Sequence, residues 1–215
     1  MSVPISAPDC FLFDIGNVLV TFDFEPALAA ARRRSRRGTL EAFQQVYALK
    51  DRLESGRLSD QDFIDGAIDA LGYEGTEEEF RDLWNDIFSP NPPMWEVAGQ
   101  LAERFPLYLL SNTSGLHMDH LMAKFDVFRH FKDGIYSHSA GCMKPGEGMF
   151  RQAIERFGLE PERTIYIDDL PANAATGRRL GFDTIEYQPE QHGVFLRELK
   201  KRGLEVKSGA VARRP

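Results

Sequence analysis

Apolar and polar positions follow two rhythms along the chain. Between Cys10 and Val20 the runs Phe11-Leu12-Phe13 and Val18-Leu19-Val20 flank Asp14-Ile15-Gly16-Asn17. An apolar run of strand length that stops at an acid and a glycine predicts a buried parallel strand whose carboxyl end opens into a loop. The same grammar recurs at Pro106–Leu110, which stops at Ser111-Asn112-Thr113, and at Thr164–Ile167, which stops at Asp168-Asp169, with a shorter run at Gly134–Ser137. Between these strands, Met94–Phe105 and Met149–Phe157 space their apolar residues three and four apart, as helices packed on one side do. Strands alternating with helices predict an α/β fold with a Rossmann-like, doubly wound parallel sheet. Ligands bind such sheets at the carboxyl ends of the strands, where the polar stops would converge.

From about Phe24 to Asn91 only the helical rhythm is present. Ser59-Asp60-Gln61-Asp62 precedes Phe63, Ile64, Ala67, Ile68 and Leu71, and the run stops at Gly72. Thr76-Glu77-Glu78-Glu79 opens a second run through Phe80, Leu83, Trp84, Ile87 and Phe88, stopped by Ser89-Pro90-Asn91-Pro92-Pro93. Both carry helix-capping signals. The chain therefore divides into a core of residues 1–21 and 92–215 and an inserted all-helical cap, residues 22–91, placed to overhang the strand ends as a lid. Glu54-Ser55-Gly56-Arg57 lies where such a cap faces the site, although solvent exposure explains it equally well. The run Arg32-Arg33-Arg34-Ser35-Arg36-Arg37 reads as a solvated helix face and turn, with an anionic-ligand patch as the sharper alternative. The tail Lys207–Pro215 is expected to fray.

Composition narrows the class without changing this picture. With 215 residues, 42% hydrophobic and 27% charged, the chain can build a real core. A net charge of −7 argues against coating nucleic acid. Cys10 and Cys142 are too few for a disulfide scaffold and lack zinc-site spacing, so they read as small buried hydrophobes in a reducing compartment. No run approaches the ~18 apolar residues of a membrane span, and the amino terminus, broken by Pro4 and Pro8, is no signal peptide. A cytoplasmic protein without nucleic-acid or membrane partners is expected. Oligomeric state has no sequence signature. His117, His120, His130, His138 and His192 show no ligand spacing and read as structural or surface residues.

The polar stops make chemical sense together. A phosphate monoester is dianionic and repels an attacking carboxylate, so a site for phosphoryl transfer to Asp14 must supply positive charge and hydrogen-bond donors. Lys144 supplies a cation, and Ser111 and Asn112 a hydroxyl, an amide and backbone N–H groups. Asp14, Asp168 and Asp169 form a hard-oxygen set suited to Mg²⁺, without which they repel one another.

In this order the motifs resemble the haloacid dehalogenase-like (HAD) hydrolase superfamily over about Cys10 to Glu198, and specifically its phosphatases with a helical cap. Phe13-Asp14-Ile15-Gly16-Asn17-Val18-Leu19-Val20 is similar to the first motif, Leu109-Leu110-Ser111-Asn112-Thr113 to the second, and Gly141-Cys142-Met143-Lys144-Pro145 to the third. Tyr166-Ile167-Asp168-Asp169, with Asn173 and Leu180-Gly181, is similar to the fourth. The Asp-x-Gly-Asn-Val form with Ser-Asn-Thr is similar to bacterial sugar-1-phosphate (glucose-1-phosphate) phosphatases. The resemblance implies that Asp14 is the nucleophile and becomes an aspartyl-phosphate. It further implies that Asp14, the Gly16 carbonyl and one or both of Asp168 and Asp169 ligate Mg²⁺, with Asp169 favoured. Ser111, Asn112 and Lys144 would hold the phosphoryl oxygens of a small phosphorylated metabolite. Gly146-Glu147-Gly148 departs from the family's usual acid and proline, which implies a looser helix start.

Gly16 is the larger departure. Most phosphatases of this superfamily place there a second aspartate that protonates the leaving alcohol, help typically worth about 10²–10⁴ in rate. Either the leaving group departs unassisted or a cap residue donates the proton, with Asp23 as one candidate. Two other readings compete: a 2-haloacid dehalogenase using the same aspartate, for which a halide needs no proton, and a binding protein whose catalysis is retired.

Overall fold

In the computed structural model, residues 7–206 are described; the tail Lys207–Pro215 lies outside the described residues, as do residues 1–6. In chain order the elements are β1 (Cys10–Phe13), β2 (Val20–Phe22), α1 (Glu25–Arg33), α2 (Leu40–Glu54), α3 (Asp60–Leu71), α4 (Glu77–Asn85), β3 (Phe88–Pro90), α5 (Pro92–Ala102) and β4 (Leu107–Ser111). They continue as α6 (Gly115–Lys124), β5 (Asp133–Tyr136), α7 (Ser137–Ala140), α8 (Gly148–Phe157), β6 (Thr164–Asp168), α9 (Pro171–Arg179), β7 (Asp183–Glu186) and α10 (His192–Lys201).

All four β1 residues are buried because the strand is covered on both faces. Phe11 and Phe13 pack with Met94, Val97 and Leu101 of α5, Leu121 of α6 and Phe195 and Leu199 of α10. Cys10 and Leu12 pack on the opposite face with Met149, Phe150 and Ala153 of α8 and with Tyr166. β1 pairs in parallel with β4 and β6, and the sheet runs in the order β5-β4-β1-β6-β7. The edge strand β7 follows no continuous apolar run, since only Thr184 and Ile185 are buried in it. Cys10 is buried, Cys142 partly so, and both are free. No helix among the described residues is long and apolar enough to cross a membrane.

α1–α4 bury a hydrophobic cluster of their own, built on Phe63, Ile64, Leu71, Phe80 and Trp84 and joined by Leu116 of α6. Ser59 caps α3, Gly72 ends it in the left-handed region (φ 58°), and Thr76 with Glu79 forms a capping box on α4. Residues 22–91 are not helical throughout. β2 and β3 form an antiparallel ribbon at the two ends of the helical stretch, pairing Val20 with Pro90 and Phe22 with Phe88. Three-residue strands are too short for periodicity to reveal.

Three of the five arginines of the run form exposed ion pairs within this helical layer: Arg34 with Glu79 (2.9 Å), Arg36 with Glu74 (2.6 Å) and Arg37 with Asp69 (3.2 Å), as a solvated helix face and turn would. Glu147 leaves α8 without a side-chain cap and pairs instead with Arg151 and Arg179.

Candidate active site

The carboxyl ends of β1, β4 and β6 bring the polar stops together. Asp14 extends the Cys10-Leu12 side of β1, and its N–H donates to the Ile167 carbonyl (2.9 Å), which carries the β1–β6 pairing one residue past the strand. The chain then turns sharply. Val18, Leu19 and Val20 direct their N–H groups to the Ile15 carbonyl while their side chains are fully buried. Asn91 Nδ2 donates to the Val18 carbonyl (2.7 Å) and Trp95 Nε1 to the Leu19 carbonyl (2.6 Å). The turn holds Asn17 at φ 51°, a left-handed conformation that Asn tolerates better than most residues. From there Asn17 Nδ2 reaches Asp169 Oδ2 at 2.9 Å.

Lys144 is the buried cation of the site. Its Nζ lies 3.1 Å from Asp14 Oδ1 and 2.6 Å from Asp168 Oδ2, and donates to the Leu110 carbonyl at 2.6 Å. Asn112 is committed to positioning it: Nδ2 donates to the Lys144 carbonyl and Oδ1 accepts the Lys144 N–H, both at 2.9 Å. The amide side chain expected to hold phosphoryl oxygens therefore clamps the lysine loop. Ser111 ends β4 and its hydroxyl donates to Asp14.

The adjacent acids differ in their surroundings. Asp168 Oδ1 accepts from the Leu170 N–H and Asn173 Nδ2, each at 2.9 Å, while Oδ2 accepts from Lys144 and from the Tyr166 hydroxyl. Four donors occupy the lone pairs of that carboxylate. Tyr166 and Asp168 share one face of β6 because they are two residues apart. Asp169 is held at one oxygen by Asn17 and lines the same cavity as Asp14.

Oxygens of Asp14, Asp168 and Asp169 lie within 4.8 Å of one another. Three buried carboxylates face one ammonium, and burial drives the Asp14 carboxyl up to about 6 against the pull of Lys144, with Asp168 adding to the rise. Burial also raises Asp169. Such an excess of hard anionic oxygen fits a divalent cation of the Mg²⁺ type.

The cavity above this cluster measures about 290 Å³. Asp14, Asn17, Ser111, Asn112, Lys144 and Asp169 make its polar end, and Phe22, Phe24, Lys50, Glu54, Ile87 and Phe88 its opposite wall. Asp23 is not brought there. It is exposed and accepts the Glu25 N–H at the start of α1. Of the Glu54-Ser55-Gly56-Arg57 turn, Glu54 enters the wall. The Lys50–Glu54 spacing of four residues on one helix was the available signal, an ordinary one that occurs on many solvated helices.

His117, also on the cavity wall, belongs to the packing between layers. Its ring stacks on Trp84 (5.7 Å between centroids) and meets Phe88 edge-on (5.0 Å), with Nε2 3.3 Å from the Trp84 carbonyl. Burial lowers its pKa to about 4. The unfolded chain, with an ordinary histidine, binds the proton more tightly, so stability is full above about pH 6.5 and falls until about pH 4, by roughly 3 kcal/mol in total. Urea unfolding at pH 7.5 and 4.5 checks this. His117→Gln should lose most of that difference, and an unchanged difference would refute the assignment.

The characteristic pattern of the haloacid dehalogenase-like hydrolases matches residues 8–181. A D-ribitol-5-phosphate phosphatase of Bacteroides thetaiotaomicron is 28% identical over 198 residues, covering 87% of this chain and 95% of that protein. A HAD family enzyme of the same organism, solved with magnesium and inorganic phosphate, superposes with a TM-score of 0.76 at 23% identity, over 85% of this chain and 96% of that one. A predicted HAD-like family hydrolase of Porphyromonas gingivalis gives a TM-score of 0.76 at 26% identity, over 91% and 99%. Four motifs gathered around one buried aspartate, on a parallel sheet of matching topology and sequence pattern, place this chain in the haloacid dehalogenase-like hydrolase family.

Proposed function

We propose that the protein is a Mg²⁺-dependent phosphomonoester hydrolase that transfers the phosphoryl group of a small phosphorylated polyol or sugar to Asp14. The observation carrying this reading is the joint placement of Asp14, Lys144 and Asp169 at the polar end of a cavity of about 290 Å³. That volume is at the small end of ligand sites and suits a compact metabolite. The 28% identical D-ribitol-5-phosphate phosphatase supports the substrate class. Residues 22–91 act as the cap over a core of residues 1–21 and 92–215, since Phe22, Phe24, Lys50, Glu54, Ile87 and Phe88 line the cavity that holds Asp14.

Asp14, Asp169 and the Gly16 carbonyl would hold the cation. When bound, it draws the phosphate dianion towards the carboxylates and offsets their charge. Asp168, saturated by four donors, acts as a strut that fixes Lys144. Lys144 neutralises phosphoryl oxygens and keeps Asp14 ionised, while the Ser111 hydroxyl and the Asn112 peptide N–H complete the cradle. Asp14 attacks phosphorus, the alcohol leaves, and water then releases phosphate from Asp14.

Chelation of divalent ions is expected to abolish phosphate release, and millimolar Mg²⁺ to restore it. Gly16 also suits the dehalogenase reading. Halide release from 2-chloropropionate without metal, in the absence of any phosphatase activity, would decide for that chemistry.

A further inference from the structure

We propose that Glu54 is the catalytic acid and base of this enzyme, supplying from the helical layer the proton relay that Gly16 cannot; the inference rests on the phosphatase reading above. An alkyl phosphate expels an alkoxide, which departs slowly unless it is protonated as the P–O bond breaks. A side chain at position 16 would be the nearest source along the chain, and Gly16 has none; the Phe22 ring packs against the position, where a Cβ would lie 3.1 Å from Phe22 Cε1 and 3.6 Å from Cδ1.

The donor must then come from another wall of the cavity. Asp14, Asp169 and Lys144 are committed to the phosphoryl end. Of the remaining titratable groups on the wall, His117 faces the Trp84 carbonyl with Nε2, and the neutral ring that donates there has no second proton to give. Lys50 is the partner of Glu54, with Nζ 2.9 Å from Oε2. That leaves the Glu54 carboxyl. It is largely buried and oriented at one oxygen by Lys50.

The backbone holds Glu54 close to the phosphoryl cradle. The Ser137 hydroxyl accepts the Thr113 N–H (2.9 Å) and donates to the Glu54 carbonyl, so one hydroxyl ties the end of α2 to the loop after Ser111. Two residues on, Gly56 adopts φ 70°, and a Cβ there would sit 2.2 Å from the His138 carbonyl oxygen. Only glycine lets the helical layer approach α7 so closely. Burial raises the Glu54 carboxyl above its ordinary range, opposed by Lys50 and reinforced by Asp51, the direction an acid working near neutrality requires.

The relay balances over a turnover. As the Asp14 oxygen bonds to phosphorus and the P–O bond to the leaving group breaks, the Glu54 proton passes to the leaving oxygen, giving the alcohol and a Glu54 carboxylate. Water then attacks phosphorus, its proton returns to Glu54, and the Asp14–phosphorus linkage breaks to release phosphate.

The test compares leaving groups. kcat/KM reports the first phosphoryl transfer, so Glu54→Gln should lower it by about 10²-fold or more on D-ribitol 5-phosphate, or on whichever alkyl phosphate wild type turns over best. p-Nitrophenyl phosphate, whose phenolate leaves without a proton, should keep its kcat/KM within a few-fold, which also shows that the variant is folded. Equal losses on both esters, or no loss on the alkyl ester, overturn the assignment while leaving the phosphatase reading intact. A wild type that hydrolyses neither ester overturns both.

Discussion

Asp14→Asn is expected to reduce phosphate release by about 10⁴-fold or more, since removal of the proposed nucleophile leaves only what binding and charge stabilisation contribute. The amide is isosteric and its oxygen still accepts the Ile15 N–H, but a neutral amide does not attack phosphorus. Folding should not suffer. Burial raises the Asp14 carboxyl to about 6, so ionising it costs more in the metal-free fold than in water, and a neutral isostere removes one of three crowded carboxylates. Lys144 keeps Asp168 as its counter-ion at 2.6 Å. Metal-free Asp14→Asn should therefore melt at or above the wild-type temperature while losing turnover. Residual activity within about tenfold of wild type, a loss of only ~1.4 kcal/mol in the barrier, would show that another residue is the nucleophile.

Lys144→Met is expected to damage the fold as well as the chemistry. The ammonium has almost no exposure and sits between Asp14, Asp168 and the Leu110 carbonyl. Removing one partner from a buried ionic cluster leaves uncompensated charge, typically at a cost of about 3–5 kcal/mol. For a chain of this size that corresponds to a fall in Tm of roughly 10 °C. Millimolar Mg²⁺ should recover part of it, because a cation at Asp14 and Asp169 offsets the same excess charge. Lys144→Arg should not substitute, since a planar fork does not fit the point-charge geometry of a fully packed pocket. Calorimetry with and without Mg²⁺ checks all three; an unchanged Tm for Lys144→Met would mean that the cluster is not ionised in the folded protein.

The structural role of Lys144 and the catalytic role proposed for it coincide because β1, β4 and β6 end at one place. Asp168 illustrates the consequence. Its four hydrogen bonds come from Leu170, Asn173, Tyr166 and Lys144, so it acts as the anchor of the site, while Asp169 beside it is left to face the cavity. Adjacent acids at a strand end alternate in direction, and which of them points into the cavity is a matter of pleat and packing.

Much of this was legible along the chain. Buried parallel strands are apolar on both faces, so β1, β4 and β6 announce themselves, and their polar stops mark the site because strand ends converge in such sheets. Helix caps at Ser59, Gly72 and Thr76 are local chemistry and appear where local chemistry predicts. β7 and the β2–β3 ribbon escape because short or half-exposed strands lack a period to count. Asn112 and Asp23 show a second limit. Residue type tells what a side chain is able to do, and only its neighbours tell whether it is free to do it: Asn112 is taken up by the Lys144 backbone and Asp23 by the start of α1.

By itself, then, the sequence determined the sheet, the helical insert and the order of Asp14, Ser111, Lys144 and Asp169, because each follows from periodicity or from a short motif at a strand end. The tertiary structure alone decided that Phe22 fills the space beside Gly16 and that Glu54 enters the same cavity from α2. The second joins residues distant in the chain through the docking of Gly56 and Ser137, and no local pattern encodes a meeting made by packing between layers.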